Sequence, residues 1–133
     1  MSYVLKLAIG SIFVGFVVLG LKALAWWMTG SVALLSDALE STVNVATAIA
    51  ALLAIRVAAL PADANHPYGH HKAEFFSAIL EGVMIIIAAL LILNEAWQGV
   101  MAPKVLDAPL AGLLVNGLAS VINAGWCWTL ISQ

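Results

Sequence analysis

The sequence predicts an all-α membrane protein with four transmembrane helices, because most of its residues are apolar and its few charged residues are separated by long uncharged stretches. Hydrophobic residues make up 64% of the 133 residues, charged residues only 9%, and the mean hydropathy is +1.08. Soluble domains usually carry about 25% charged residues. A helix that crosses a bilayer needs roughly 20 apolar residues. The uncharged stretches are Ala8–Leu21, Ser41–Ile55, Gly82–Asn94 and Ala108–Gln133.

These stretches and their flanks predict four helices in order. The expected spans are Leu5–Met28, Ser31–Val57, Phe75–Ala96 and Leu110–Ser132. The first run is longer than the apolar region of a cleaved signal peptide, which has about 7–15 residues. It also ends in the bulky Trp26 and Trp27, which are typical of a membrane interface. Gly30 predicts a tight first turn, and prolines interrupt the second and third connections.

The distribution of basic residues predicts the orientation of these helices. Lys6, Arg56 and Lys72 lie on the side of the N-terminus, whereas Lys104 lies alone on the opposite side. Cytoplasmic loops carry an excess of Lys and Arg. We therefore expect the N-terminus and the 58–73 loop in the cytoplasm, and an integral protein of a bacterial inner (cell) membrane.

The composition also argues against several classes of function and site. The net charge of −2 gives no indication of a nucleic-acid partner. The one cysteine, Cys127, excludes an intrachain disulfide and a cysteine-based zinc site. No nucleophile is paired with a base in the sequence. We therefore expect a protein that is not an enzyme and carries no prosthetic group.

Three polar residues in the second helix share one face. Asp37, Glu40 and Asn44 occupy positions i, i+3 and i+7, an arc of about 60°. Counted from Gly30, Glu40 lies roughly 15 Å and Asn44 roughly 21 Å deep in a hydrocarbon core of about 30 Å. A carboxylate at that depth costs on the order of 2.5–3.5 kcal/mol and must face protein or water. The stripe is therefore a candidate ion site, or alternatively a cluster of interhelical hydrogen bonds.

Other polar residues in the predicted helices have weaker interpretations. Glu81 could pair with Lys22, relay protons or lie in a hydrated vestibule, and Lys22 could instead extend to the membrane surface. We expect the remaining helical asparagines, Asn94, Asn116 and Asn123, to form helix–helix hydrogen bonds.

All three histidines lie in the connection between the second and third helices. Asp63, His66 and His70 have the spacing D-x2-H-x3-H, and His71 follows directly. Imidazole is the commonest side-chain metal ligand, and a flexible segment with this spacing could wrap one carboxylate and two imidazoles around a divalent ion. The alternative is a solvated loop whose histidines contact phospholipid head groups.

The segments AWWMTGSVALLSDALESTVNVA and R-x4-PADANHPYGHHKAE resemble the cation diffusion facilitator family, also called the cation efflux family. The resemblance covers essentially the whole chain as the first four helices of a six-helix transmembrane domain. It implies a homodimeric carrier that exports a divalent metal ion in exchange for protons. It also implies that residues 1–133 end before the fifth helix, and that the cytoplasmic C-terminal domain of the family is absent.

The resemblance also implies site residues. Glu40 and Asn44 match the second-helix ligands of the transport site, which a histidine and an aspartate on the fifth helix complete. Asp63, His66 and His70 match a loop metal site found in some members. Many members have Asp/Asp or His/Asp where this chain has Glu40 and Asn44. Because an asparagine ligand is neutral, iron(II), manganese and cobalt stay open beside zinc, our first choice of substrate, with Asp37 as a possible compensating anion.

Two other functions are compatible with a small four-helix membrane protein. One is a proton-coupled drug exporter, although such proteins have an essential glutamate in the first helix, where this chain has none. The other is a metal-binding accessory module that does not itself transport.

Overall fold

The computed structural model describes residues 3–132, which form four long α-helices and no strand. The helices are α1 (Tyr3–Thr29), α2 (Val32–Ala58), α3 (Ala73–Met101) and α4 (Pro109–Ile131). Each is long and apolar enough to cross a membrane by length and composition. The all-α class and the four predicted helices are therefore confirmed.

The predicted end of α3 is wrong. The helix continues past Ala96 to Met101 and ends just before Pro103. Polar residues near Ala96 indicated the end of the membrane span, but a helix that reaches the interface needs no break there. Proline disfavours a helical conformation in the residue before it. Ala102 accordingly leaves the helix with φ −136° and ψ 75°.

The turn between α1 and α2 is as tight as Gly30 predicts. Gly30 adopts φ +66°, which glycine reaches without steric cost, and its N–H donates to the Trp26 carbonyl. Ser31 caps α2 by accepting a hydrogen bond from the Leu34 N–H. The buried Thr29 hydroxyl donates to a carbonyl one turn back in α1. These local bonds fix the turn, after which α2 packs along α1.

The helices pack as an open row in the order α3, α2, α1, α4. Extensive contacts join α2 to α3, α1 to α2 and α1 to α4. Within residues 3–132 no other pair of helices makes more than slight contact, so α3 and α4 are consecutive in sequence but lie at opposite ends of the row. As a result, each helix leaves part of its surface uncovered by this chain.

Close approach of α1 and α4 depends on two glycines. A Cβ on Gly112 would overlap the Thr29 methyl, and a Cβ on Gly10 would lie 2.6 Å from the Trp126 ring. The Trp126 indole N–H also donates to the Ser11 hydroxyl at 3.0 Å. Small residues permit this kind of backbone approach between membrane helices.

One packing prediction fails, and two helix glycines have open space around them. Within residues 3–132, a Cβ on Gly20 or Gly117 would meet nothing within 4 Å, so neither glycine is required for helix contact there. The Asn116 Oδ1 is buried and has no hydrogen-bond partner among residues 3–132, and Asn94 and Asn123 are exposed. Within the described part of the chain, these asparagines therefore do not form the helix–helix hydrogen bonds that we expected.

Candidate metal-binding residues

The α2–α3 connection is shaped by the side chain of Asp63. Its Oδ1 accepts hydrogen bonds from the backbone N–H groups of Asn65 at 2.9 Å and His66 at 2.7 Å. Aspartate commonly forms such turns with the backbone just after it. Gly69 then reverses the chain with φ +81°, and its N–H donates to the His66 carbonyl. The local sequence thus places the second histidine of the motif back near the aspartate.

Asp63, His66 and His70 come together in this connection, and we call them the loop cluster. His66 Nδ1 lies 3.0 Å from Asp63 Oδ1, and His70 Nε2 lies 3.5 Å from Asp63 Oδ2. One potential ligand atom from each residue lies within 4.8 Å of the others. In a tetrahedral zinc site with ligands about 2.0–2.2 Å from the ion, neighbouring donors lie about 3.3–3.6 Å apart. Side-chain rotations that bring the most distant donors closer by up to roughly 1 Å would place all three on one ion.

The members of the loop cluster differ in exposure and electrostatics. The side chains of Asp63 and His66 are more than half exposed, whereas that of His70 is only 14% exposed. The His66 backbone N–H is the main cause that holds the pKa of the Asp63 carboxyl below its usual value, and the His66 side chain contributes further. His70 Nδ1 is buried and has no hydrogen-bond partner within residues 3–132. The cluster therefore combines an ionised carboxylate with an imidazole nitrogen that the described part of the chain leaves unsatisfied.

Two neighbouring titratable residues, His71 and Glu74, lie outside the loop cluster. His71 is exposed, lies outside the loop cluster and has its ring beside Gly69. Glu74 is in the first turn of α3, where a negative charge is favourable to the helix dipole. Neither residue belongs to the group that could share an ion.

The polar stripe on α2 divides into two parts. Glu40 and Asn44 are exposed, and their side chains form no ion pair or hydrogen bond with any part of residues 3–132. Asp37 instead forms an ion pair with Lys22 of α1, with side-chain exposures of 29% and 11%. The loop cluster is the one group of three or more His, Cys, Asp or Glu side chains in the described residues that is close enough to share an ion. The structure thus does not bring Glu40 and Asn44 together with the loop ligands.

The Lys22–Asp37 pair was not foreseen, although the sequence contains a signal for it. We considered Glu81 or the membrane surface for Lys22, and Asp37 as a further metal ligand. In an antiparallel helix pair, residues at equal distances from the turn lie at the same depth. Lys22 and Asp37 are nearly equidistant from the turn at Gly30, so the hairpin places them opposite each other.

Comparison with known proteins shows that the chain belongs to a family of cation transporters. The cation efflux transmembrane domain family matches residues 8–133. The uncharacterized transporter sll1263 of Synechocystis sp. is 47% identical over 123 residues, which cover 92% of this chain and 40% of the relative. The cation-efflux pump FieF of Pectobacterium atrosepticum is 36% identical over 114 residues, covering 86% and 38%. That of Cronobacter sakazakii is 35% identical over 116 residues, covering 87% and 39%. The chain spans about two fifths of the length of these curated relatives.

Proposed function

Because the chain belongs to the cation efflux family, we propose that it is the membrane part of a carrier that exports a divalent metal ion in exchange for protons. The family comprises cation transporters rather than a class of enzymes. The carrier works as a homodimer in a bacterial inner membrane, with the loop cluster on the cytoplasmic side. The single observation that supports metal handling most directly is the convergence of Asp63, His66 and His70.

The loop cluster is proposed to capture the ion at the cytoplasmic mouth. A carboxylate oxygen and two imidazole nitrogens form a donor set that suits zinc, and a water could occupy a fourth position. Because Asp63 and His66 are exposed, an ion can reach them from water without opening the fold. The unsatisfied His70 nitrogen further supports a polar ligand near this loop.

Glu40 and Asn44 are proposed to be one side of the transport site within the membrane. A carboxylate at mid-bilayer depth is costly unless it faces protein or water, and Glu40 is exposed on the surface of α2. This supports a face that other protein groups cover in the working carrier, as the family resemblance implies for a histidine and an aspartate on a fifth helix. Because Asp37 is paired with Lys22, we do not assign it to the metal.

Metal and protons compete for the same groups in this proposal. Carboxylates and imidazoles coordinate metal when deprotonated, so binding of the ion releases protons. In an alternating-access cycle, ions bind from the cytoplasm, and protons from the other side promote their release. Zinc is our first choice, because the loop supplies two nitrogens, while the oxygen donors of Glu40 and Asn44 also suit iron(II), manganese or cobalt.

The test is metal uptake into inside-out vesicles that contain the complete gene product, with a fluorescent metal indicator inside and a proton gradient of either sign. We expect uptake of zinc that depends on the gradient. The 133-residue chain alone should give no more uptake than empty vesicles, because Glu40 belongs to no group of three or more His, Cys, Asp or Glu side chains in residues 3–132 that could share an ion. Uptake of an organic cation instead of a metal would favour the drug-exporter alternative. Metal binding by the complete protein without any uptake would favour an accessory module.

A further inference from the structure

An open cavity of about 810 Å³ lies at the end of the molecule opposite the loop cluster. It is formed where α1 ends, where α2 begins, along the last turns of α3 and beneath the connection to α4. The Asp107 N–H donates to the Thr29 carbonyl at 3.1 Å, so the α3–α4 connection is attached to the α1–α2 turn beside the cavity. The volume is within the range of about 300–1,000 Å³ that is typical of small-molecule sites.

The position of the cavity matches the level of lipid head groups. Its lining includes the ends of three transmembrane helices and the paired residues Trp26 and Trp27. Tryptophan is enriched at membrane–water interfaces, where its ring contacts both chains and head groups. Trp27 is 78% exposed, and most of the remaining lining is apolar. A molecule in this cavity would therefore have an apolar part in the bilayer and a polar part at its surface.

The charges that line the cavity are opposite in sign and separate from each other. Glu95 of α3 and Lys104 of the following connection both line it. Across residues 3–132 neither of them forms an ion pair or a side-chain hydrogen bond. The backbone adds to this arrangement. The positive end of α2 at Val32 and the negative end of α3 near Val100 also line the cavity.

We propose that this cavity binds the head group of a zwitterionic aminophospholipid of the phosphatidylethanolamine type. The primary ammonium donates to the Glu95 carboxylate and lies against the tryptophan rings, which attract cations. The phosphate accepts from Lys104 and from the N-terminus of α2, which favours anions. The acyl chains continue along the exposed apolar surface of α3. This inference is independent of metal transport, because it uses only the fold and the residues at this end.

The charges discriminate between possible occupants. An anionic head group without an ammonium would gain from Lys104 but would be repelled by Glu95. A choline head group would contact the tryptophans but could not donate a hydrogen bond to the carboxylate. A metal ion would be repelled by Lys104. A primary ammonium joined to a phosphate uses both charges together.

The experiment is native mass spectrometry of the 133-residue chain in a mild detergent. The chain receives equal amounts of phosphatidylethanolamine, phosphatidylcholine and phosphatidylglycerol with identical acyl chains. We expect one phosphatidylethanolamine to be retained in preference to the other two. Glu95→Gln should lower its retention roughly fivefold to tenfold while retention of phosphatidylglycerol rises, since a charge-assisted hydrogen bond is lost and a repulsion is removed. Lys104→Gln should lower the retention of both lipids.

Matched controls distinguish this pattern from general damage. Glu81→Gln and Lys6→Gln make the same changes of charge outside the cavity and should retain the wild-type preference. The opposite responses of two lipids to Glu95→Gln cannot arise from misfolding, which would lower both. Equal retention of the three lipids, a preference for phosphatidylglycerol in the wild type, or a wild-type chain that retains no lipid would overturn the proposal. So would identical behaviour of Glu95→Gln and Glu81→Gln.

Discussion

In the α2–α3 connection a carboxylate and two imidazoles converge, whereas on α2 the Glu40 carboxylate and the Asn44 amide project from one helix face and form no ion pair or side-chain hydrogen bond within residues 3–132. The difference follows from backbone geometry. A loop with an Asp63 turn and Gly69 at positive φ can fold back on itself and aim several side chains at one point. A helix holds residues four apart about 5–6 Å from each other and pointing the same way. Helix ligands therefore need a second element to surround an ion.

Two carboxylates one helical turn apart on α2 also differ in their surroundings. Asp37 faces α1 and is paired with Lys22, whereas Glu40 is exposed. The pair neutralises one charge inside the row of helices, and the other charge stays available on the surface. We infer that Asp37 and Glu40 have different roles, one in joining α1 to α2 and one in binding the ion.

The largest expected effect concerns the α2 face, by which we mean the surface of α2 that carries Glu40 and Asn44. Glu40→Gln in the complete gene product should abolish metal uptake by vesicles, because the neutral amide cannot offset the desolvation of a divalent ion. Asn44→Asp should tighten metal binding and shift preference toward zinc by adding an anionic ligand. Glu81→Gln, another carboxylate within a membrane helix, is the matched control and should transport normally. Normal uptake by Glu40→Gln would mean that the α2 face only packs, and that Asp37 or Glu81 must be reconsidered.

The next effect concerns the loop cluster. His66→Ala or His70→Ala should weaken zinc binding by the 133-residue chain about tenfold or more, since each removes a direct ligand. His71→Ala should change it little, because His71 lies outside the cluster. Isothermal titration of the chain in detergent measures all three affinities. Equal losses from the three substitutions would indicate diffuse attraction of the ion rather than a defined cluster, and the contrast with α2 would disappear.

A smaller effect on stability is expected from the ion pair. Lys22→Met should lower the free energy of unfolding by about 1–3 kcal/mol, because it leaves the partly buried Asp37 carboxylate without its partner. Adding Asp37→Leu should recover much of that loss, since an apolar pair removes the unpaired charge. Denaturation in mixed micelles, followed by circular dichroism, gives the four free energies of the cycle. Additive losses in the double variant would show that the two side chains do not depend on each other.

The smallest effect concerns the pH response of the loop. The pKa of Asp63 is lowered in the folded loop, so its turn is fully stabilised above the ordinary value of 3.8 and loses that contribution as pH falls through the lower folded pKa. The turn should therefore persist at pH 5. Because the His66 backbone N–H is the largest cause, His66→Ala should retain most of the lowering. Carboxyl chemical shifts of labelled aspartate, measured by NMR through the acid range, test this. An Asp63 pKa at or above 3.8 in the wild type would contradict it.

The sequence by itself determined the number of helices, their approximate extents and the local turns. Apolar runs and charge positions were sufficient for these features because each depends on neighbours in the chain and on the thickness of the bilayer. The D-x2-H-x3-H spacing likewise placed Asp63, His66 and His70 in one short segment, where local hydrogen bonds close the cluster. The end of α3 was misjudged, because hydropathy marks where the bilayer ends rather than where the helix does.

Only the tertiary structure decided which faces of the helices meet. The open row, the pairing of Lys22 with Asp37 and the cavity shared by Glu95 and Lys104 all depend on how each helix is rotated about its axis and on which helices are adjacent. Hydropathy carries little of that information in a membrane protein, because lipid is as apolar as the helix surfaces it covers. Contacts such as Gly112 against Thr29 instead select the neighbours through shape, and shape appears only when the helices are packed.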